Sequence, residues 1–334
     1  MRKELLDLLL CPQCETSFQV VPYKSDGECI KEGLLRCNYC GKEYPIIDTI
    51  PRMLPNSQQS KSPTDLLKRE TQESFGYQWQ SFRQMSCDFR DNFLNYIYPV
   101  KPEFFKGKFG LDAGCGFGRH IYNAAKFGAK MVGIDFSQAI ESSYLNTRQL
   151  DNVYLAQADI YNLPFPKDKF DFVYSIGVLH HLPNPELGFQ SLLRLVKPKG
   201  AIFIWVYSNQ RKWTIKILEL VRKITTQLPF PLLKALCFFI ALIDYYFLVF
   251  PFCLMRRNKY LGERLEKFLF PRIRLYWQYP FQVNFADWFD RLSAPIRFYY
   301  DGNEIKGWFE KAGLRNITVS STGYYGWRAY GEKD

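Results

Sequence analysis

The sequence predicts an α/β fold: a doubly wound sheet with a small cysteine-rich module ahead of it and a helical insertion before its end. Three observations predict it. Apolar runs alternate with helix-like stretches from residue 71 to about 207, the pattern of successive βαβ units. A glycine-rich turn joins an apolar strand to a helix at residues 109–119 (FGLDAGCGFGR). Two Cys-x-x-Cys pairs lie within the first 40 residues.

Composition bounds the reading. The chain has 334 residues, 47% hydrophobic and 23% charged, enough for one large domain with its own core plus a small module. Aromatics at 17% either fill that core or line a pocket for a flat or greasy ligand. A net charge of +11 suits an anionic partner such as nucleic acid, a membrane face or a phosphorylated substrate, and equally suits plain solubility. Nine cysteines, four of them in the two pairs, indicate a metal site in a reducing, cytoplasmic setting and not a secreted disulfide framework. Residues 1–10 carry Arg2, Lys3, Glu4 and Asp7 and run straight into Cys11, so they are not read as a signal peptide.

Five segments follow from composition. Residues 1–55 hold the cysteine pairs and 56–70 read as a polar linker. Residues 71–207 form the core, and 208–298 are basic, aromatic and strongly apolar in the middle. Residues 299–334 close the chain with a helix ending at Gly313 and a strand (LRNITVSS).

Cys11, Cys14, Cys37 and Cys40 are the candidate metal ligands. A Cys-x-x-Cys turn puts two thiolates on one side of a tight loop, and two such turns face to face make a tetrahedral sulfur cage suited to structural zinc. Cys29, outside the pairs, is a bystander. With the tail at 44–54 (YPIIDTIPRML), residues 5–55 resemble the small zinc-ribbon family that serves as an activating subunit of tRNA and protein methyltransferases.

In the glycine-rich turn the spacing is Gly114-x-Gly116-x-Gly118, not that of a dinucleotide fingerprint. Asp112 precedes the glycines, where it would repel a pyrophosphate and meet a cationic sulfonium amino acid. Asp135 closes the next strand (KMVGID), placed to hold a ribose diol, and Phe136 follows it to pack on sugar or base. Residues 157–160 (QADI), 163–165 (LPF), 170–182 (FDFVYSIGVLHHL) and 192–200 (LLRLVKPKG) come next. Over residues 105–207 the chain resembles the class I S-adenosylmethionine-dependent methyltransferases, the methyltransferase type 11 group that includes the ubiquinone/menaquinone methyltransferases. The resemblance implies a Rossmann-like sheet with an antiparallel final strand and S-adenosylmethionine as cofactor. It implies that Asp112, Ala113, Gly114, Cys115, Gly116 and Gly118 surround the methionyl part. Asp135 and Phe136 would take the ribose side, and Asp159 and Ile160 the adenine. Ser175 begins the strand end at the substrate mouth. Related enzymes close an N-terminal helix over the cofactor, which makes Tyr77 and Trp79 lid candidates. One departure is Lys199, where the family often has glycine; no functional cost is expected there.

His180 and His181 sit at that mouth, either as a general base or as residues that hold a loop. Residues 211–228 read as a basic amphipathic helix and 235–255 as an almost wholly apolar one. The pair is either a cap over the site or a peripheral membrane contact through residues 211–257. A single span would split one sheet across the bilayer. The stretch from Asn284 to Pro295, with Asp287, Asp290 and Arg291, and Tyr299 and Tyr300 beyond it are candidate pocket residues. The function expected is methyl transfer to a small-molecule or lipid-like acceptor. An RNA methyltransferase stands second, a non-catalytic cofactor-binding scaffold third and a dehydrogenase fourth. The sequence does not specify the oligomeric state.

Overall fold

The computed structural model describes residues 1–54, 62–256, 273, 276–323 and 325–334. Parts of the 56–70 and 208–298 segments, including the basic residues Arg257 and Lys259, lie outside them.

Seven strands form one sheet. They are β5 (Phe109–Ala113), β6 (Lys130–Asp135), β7 (Val153–Gln157), β8 (Phe170–Ile176), β9 (Val196–Tyr207), β10 (Arg315–Ser321) and β11 (Gly326–Glu332). Their spatial order is β10-β11-β9-β8-β5-β6-β7. β5 to β9 are parallel, while β11 runs antiparallel to both β9 and β10, as the resemblance implies. β7 is buried at every residue and β8 at all but one, which is why parallel strands covered on both faces read as unbroken apolar runs. The chain leaves β5 for β6 and β7 on one side, then returns to β8 on the other. That reversal opens a crevice at the carboxyl ends of β5 and β8, where ligands bind in such sheets. Helices α4 (Arg119–Lys126), α5 (Ala139–Thr147) and α6 (Pro185–Leu193) follow β5, β6 and the β8 turn.

A second, four-stranded antiparallel sheet holds β1 (Phe18–Asp26), β2 (Cys29–Cys37), β3 (Glu43–Ile47) and β4 (Ile50–Pro51), preceded by the short helix α1 (Lys3–Leu6). It docks on the free edge of β7. Arg52 pairs in parallel with Gln157, Met53 N–H donates to Gln157 O at 2.7 Å, and Leu10 N–H donates to Pro164 O at 2.9 Å. An open sheet edge is thereby covered. Met1, Leu35 and Met53 share one buried cluster with Val132, Ala156 and Phe165, so the two sheets share a core.

Residues 62–70 correct an expectation. Read as linker, they instead begin α2 (Pro63–Ser81). Ser62 caps it, accepting from Asp65 N–H at 3.2 Å, with Pro63 in the first turn where a missing N–H costs nothing. α3 (Arg90–Ile97) packs below the sheet. There Phe93, Phe105, Phe172 and Phe203 form a ring-on-ring core that accounts for much of the aromatic content.

The insertion supplies α7 (Lys212–Thr225) and α8 (Phe230–Asp244). A π turn (Tyr245–Val249) leads into α9 (Phe250–Arg256), and α10 (Phe281–Ser293) follows. α11 (Gly302–Lys311), opened by an Asp301–Glu304 capping box, then leads to β10.

Candidate active site

The glycine-rich turn is tied to its neighbours by backbone. Gly114 and Cys115 N–H groups both donate to Ile134 O, at 2.8 and 2.9 Å. Gly114, Gly116 and Gly118 all take positive φ, at 86°, 53° and 94°. A Cβ on Gly114 would fall 2.3 Å from Val178, and one on Gly118 would fall 2.9 Å from Ser143 Oγ. Any side chain there would push the turn away from the strand ends.

Asp135 organises this turn. One carboxylate oxygen accepts from Gly116 N–H at 2.9 Å, and the other from Ser137 N–H and Oγ at 2.8 and 2.7 Å. Burial pushes its pKa up, partly offset by these donors. Asp159 lies just beyond the end of β7, 2% exposed. It accepts from Lys68 Nζ at 2.5 Å, Tyr161 N–H at 3.1 Å and Asn162 Nδ2 at 3.1 Å. Lys68, on the first turns of α2, also stands over the rings of Phe136 and Tyr161, 4.9 and 4.8 Å from their centroids. Lys68 and Gln72, whose amide donates to Phe136 O at 2.7 Å, are site residues the sequence reading missed by placing them in or next to the linker.

These groups line one cavity of about 880 Å³. Gly114, Cys115, Gly116, Asp135, Phe136, Asp159, Ile160 and Trp79, all expected at the cofactor, line one half of it. Trp79 stacks on Phe117 with centroids 4.5 Å apart, over the open side of Gly116. Other expected residues do not reach the wall. Tyr77 turns the opposite way on α2, stacking on Phe230 at 5.0 Å and joining the insertion. Ser175 Oγ is fully buried and donates to Ala113 O at 2.9 Å, clipping β8 to β5. Ala113, the last residue of β5, and Gly118, the last glycine of the turn, are likewise not on the wall of the cavity. Asp112 sits beneath the turn with Oδ2 unpartnered, and burial pushes its pKa up to about 8.

The two histidines of the mouth divide. His180 is fully enclosed, neither ring nitrogen partnered, against Tyr207 at 3.9 Å between centroids. It is a packing residue behind the wall. His181 lines the cavity, and its Nδ1–H donates to Ile296 O at 2.6 Å, which leaves Nε2 as the lone-pair nitrogen. Burial lowers its pKa to about 3, so it is neutral near pH 7.

The other half of the cavity belongs to the insertion. Arg211, Arg222, Asp287, Asp290, Arg291 and Tyr299 line it with Tyr207 of β9. Arg291 Nε donates to Asp287 at 2.5 Å, and Arg222 donates to Glu219 at 2.8 Å and to Tyr299 OH at 2.5 Å. Tyr207 OH donates to Asp290 at 3.0 Å. Burial and the neighbouring Asp287 push the Asp290 pKa up to about 6. Arg211 has no carboxylate partner among the described residues; its guanidinium lies over Tyr325 at 3.9 Å, and its Nε is buried without an acceptor. Tyr300 packs on Trp308 instead. Asp287, Asp290 and Arg291 were flagged by their polar-aromatic context. Arg211 and Arg222 carried no signal beyond being the basic residues of an amphipathic helix.

At the second site, Cys11, Cys14, Cys37 and Cys40 bring four sulfurs within 4.8 Å of one another. Cys11 to Cys40 is 3.7 Å and Cys14 to Cys37 is 3.4 Å. A tetrahedron with metal–sulfur bonds of about 2.3 Å has edges of about 3.8 Å, so the cluster fits a closed zinc site. Both pairs sit in matching turns, Glu15 N–H donating to Cys11 O and Gly41 N–H to Cys37 O.

A doubly wound sheet, a tight glycine turn at its switch point and acids at or just beyond the ends of the next two strands make up a Rossmann-like α/β fold of the methyltransferase type. Comparison with known proteins finds that residues 111–204 match the methyltransferase domain family model. Over 157 residues the chain is 30% identical to the sterol 24-C-methyltransferase of Schizosaccharomyces pombe, covering 44% of this chain and 40% of the relative. Over 119 residues it is 32% identical to the ubiquinone biosynthesis O-methyltransferase of Coxiella burnetii, covering 33% and 50%. The chain thus spans half or less of the length of these relatives. A solved S-adenosylmethionine-dependent methyltransferase from Aquifex aeolicus aligns over 82% of this chain and 100% of that one, at 15% identity and a TM-score of 0.41.

Proposed function

We propose that this chain transfers a methyl group from S-adenosylmethionine to a small hydrophobic acceptor held in the insertion half of the cavity. The observation that carries the reading is that one cavity joins the glycine turn with Asp135 and Asp159 to an aromatic chamber lined by Tyr207, Asp290 and Tyr299. The cofactor fits the residues present. The glycine cradle admits close backbone approach, Asp135 suits a ribose diol, and Asp159 with Phe136 and Ile160 suits a flat amine-bearing base. When bound, it supplies an electrophilic methyl group on sulfur. The chain's part is to orient the acceptor and keep water out, with Trp79 and Phe75 of α2 as cover. The names of the relatives, a sterol and a ubiquinone-pathway methyltransferase, support a lipid-like acceptor. The four cysteines would hold zinc as a structural ion, and a cytoplasmic setting suits their thiols.

For an acceptor that must lose a proton, Asp290 is the base this geometry favours. Its pKa near 6 leaves it ionised at pH 7 yet basic enough to help, whereas His181 is too weak a base and serves better as an acceptor that orients a hydroxyl. The test is tritium transfer from methyl-labelled S-adenosylmethionine to hydroxylated aromatic and isoprenoid acceptors in mixed micelles. Transfer should rise with pH through about 6 and level off. Asp290→Asn should abolish that limb and lower the rate by roughly 10²–10⁴-fold. Label appearing in RNA but in none of these acceptors would overturn the reading.

A further inference from the structure

Helix α7 carries three distinct stripes. Arg211 at its N-cap and Ile215, Leu218 and Arg222 line the cavity. On the far side, Trp213, Ile217, Leu220 and Ile224 recur at helical spacing and stand 80%, 61%, 66% and 68% exposed. Between the two faces run Lys212, Lys216 and Lys223, all exposed. A single helix therefore separates the acceptor chamber from an apolar, lysine-flanked outer surface.

The next helix continues that surface. Phe230–Met255 is long and apolar enough to cross a membrane, yet only 28% of its most apolar stretch is buried, which is not how a core helix sits. Phe239, Ile243 and Phe247 are 60%, 60% and 75% exposed. Its opposite face is fastened to the body. Leu233 and Cys237 pack with Phe289 and Leu292 of α10, and Asp244 accepts from Asn284 Nδ2 at 2.9 Å and Trp288 Nε1 at 3.1 Å. A spanning helix needs lipid or other membrane segments around it. This one is bound along one side to a helix whose own residues line the catalytic cavity, and the chain on either side of the insertion returns to the same sheet.

We propose that the outer faces of α7 and α8–α9 seat the protein in the plane of a bilayer bearing anionic headgroups, with the acceptor chamber one helix away from the lipid. An exposed tryptophan and aliphatic stripe beside a row of lysines is the chemistry that such an interface selects. The lysines commit the occupant to an anionic lipid surface. The docking surface stands without the proposed function; only the route it offers a lipid-like acceptor rests on that reading.

The experiment is vesicle flotation of the full-length, zinc-loaded protein, with phosphatidylcholine vesicles and with phosphatidylcholine–phosphatidylglycerol vesicles. S-adenosylhomocysteine titration on every variant reports the cofactor half separately. The wild type should float with the anionic vesicles and lose binding as salt rises. Ile217→Glu/Ile224→Glu should cut partitioning at least about tenfold. Lys212→Gln/Lys216→Gln/Lys223→Gln should cut it about fivefold per lysine on anionic vesicles alone. Three results would overturn the proposal: a wild type that floats with neither vesicle; a wild type that resists carbonate extraction, as an integral span would; or a glutamate pair that leaves flotation unchanged while converting a dimer to a monomer, which would assign the face to a second copy of the chain.

Discussion

Lys199 shows what a single backbone angle costs. It stands at φ 63°, in the left-handed region that disfavours a side chain, with its N–H donating to Lys333 O at 3.0 Å. The resemblance places glycine there in related enzymes, and removing the Cβ relieves the strain while adding some freedom to the unfolded chain. Lys199→Gly should therefore raise stability by up to about 1 kcal/mol in denaturant melts, with cofactor affinity unchanged. A loss of stability would mean that contacts of the lysine side chain outweigh the strain. At this scale the sequence read well where a residue's job is set by the local chain. Asp135 ends a strand, as its position after KMVGI implies, while its bond from Gly116 N–H in the glycine turn is visible only in the structure. It read poorly where the job depends on which way a helix turns. Tyr77 and Trp79 are two residues apart on α2, so they face opposite sides, and only Trp79 reaches the cavity. His180 and His181 are likewise neighbours in sequence, and only one of them lines the wall.

Among the elements, the cysteine-rich sheet β1–β4, the proposed zinc ribbon, is joined to the main sheet through the edge of β7. Its cysteine spacing was legible, because a Cys-x-x-Cys turn is local chemistry. Its docking was not, because the contacts join residues about a hundred positions apart, such as Arg52 to Gln157 at 3.3 Å. The start of α2 was hidden for a different reason: SKSPTD is polar enough to read as linker, although Ser62 and Pro63 are a helix start. Since the ribbon shares a buried cluster with β7 and borders Asp159, stripping the metal should not unfold a separate module. Purified protein should carry one zinc per chain. A strong chelator should lower the midpoint of one cooperative thermal transition and weaken S-adenosylhomocysteine binding with it. Two separate transitions, or unchanged affinity after complete zinc loss, would show the ribbon to be energetically independent.

For the molecule as a whole, the parallel sheet was readable because strands buried on both faces leave uninterrupted apolar runs. The chamber was not, because Arg211, Arg222, Asp290 and Tyr299 come from three separate stretches that meet only when α7 and α10 fold over β9. The account rests on one claim: the glycine turn and its acids hold S-adenosylmethionine. Calorimetric titration with S-adenosylmethionine, S-adenosylhomocysteine and NADH tests it directly, with Asp135→Ala beside the wild type. The account predicts micromolar binding of both sulfur ligands and none of NADH. Loss of the ribose hydrogen bonds to a charged group should cost about 1.5–3 kcal/mol, roughly a tenfold to hundredfold drop in affinity for the variant. Absence of binding by zinc-loaded, folded protein, or affinity indifferent to Asp135, would contradict it.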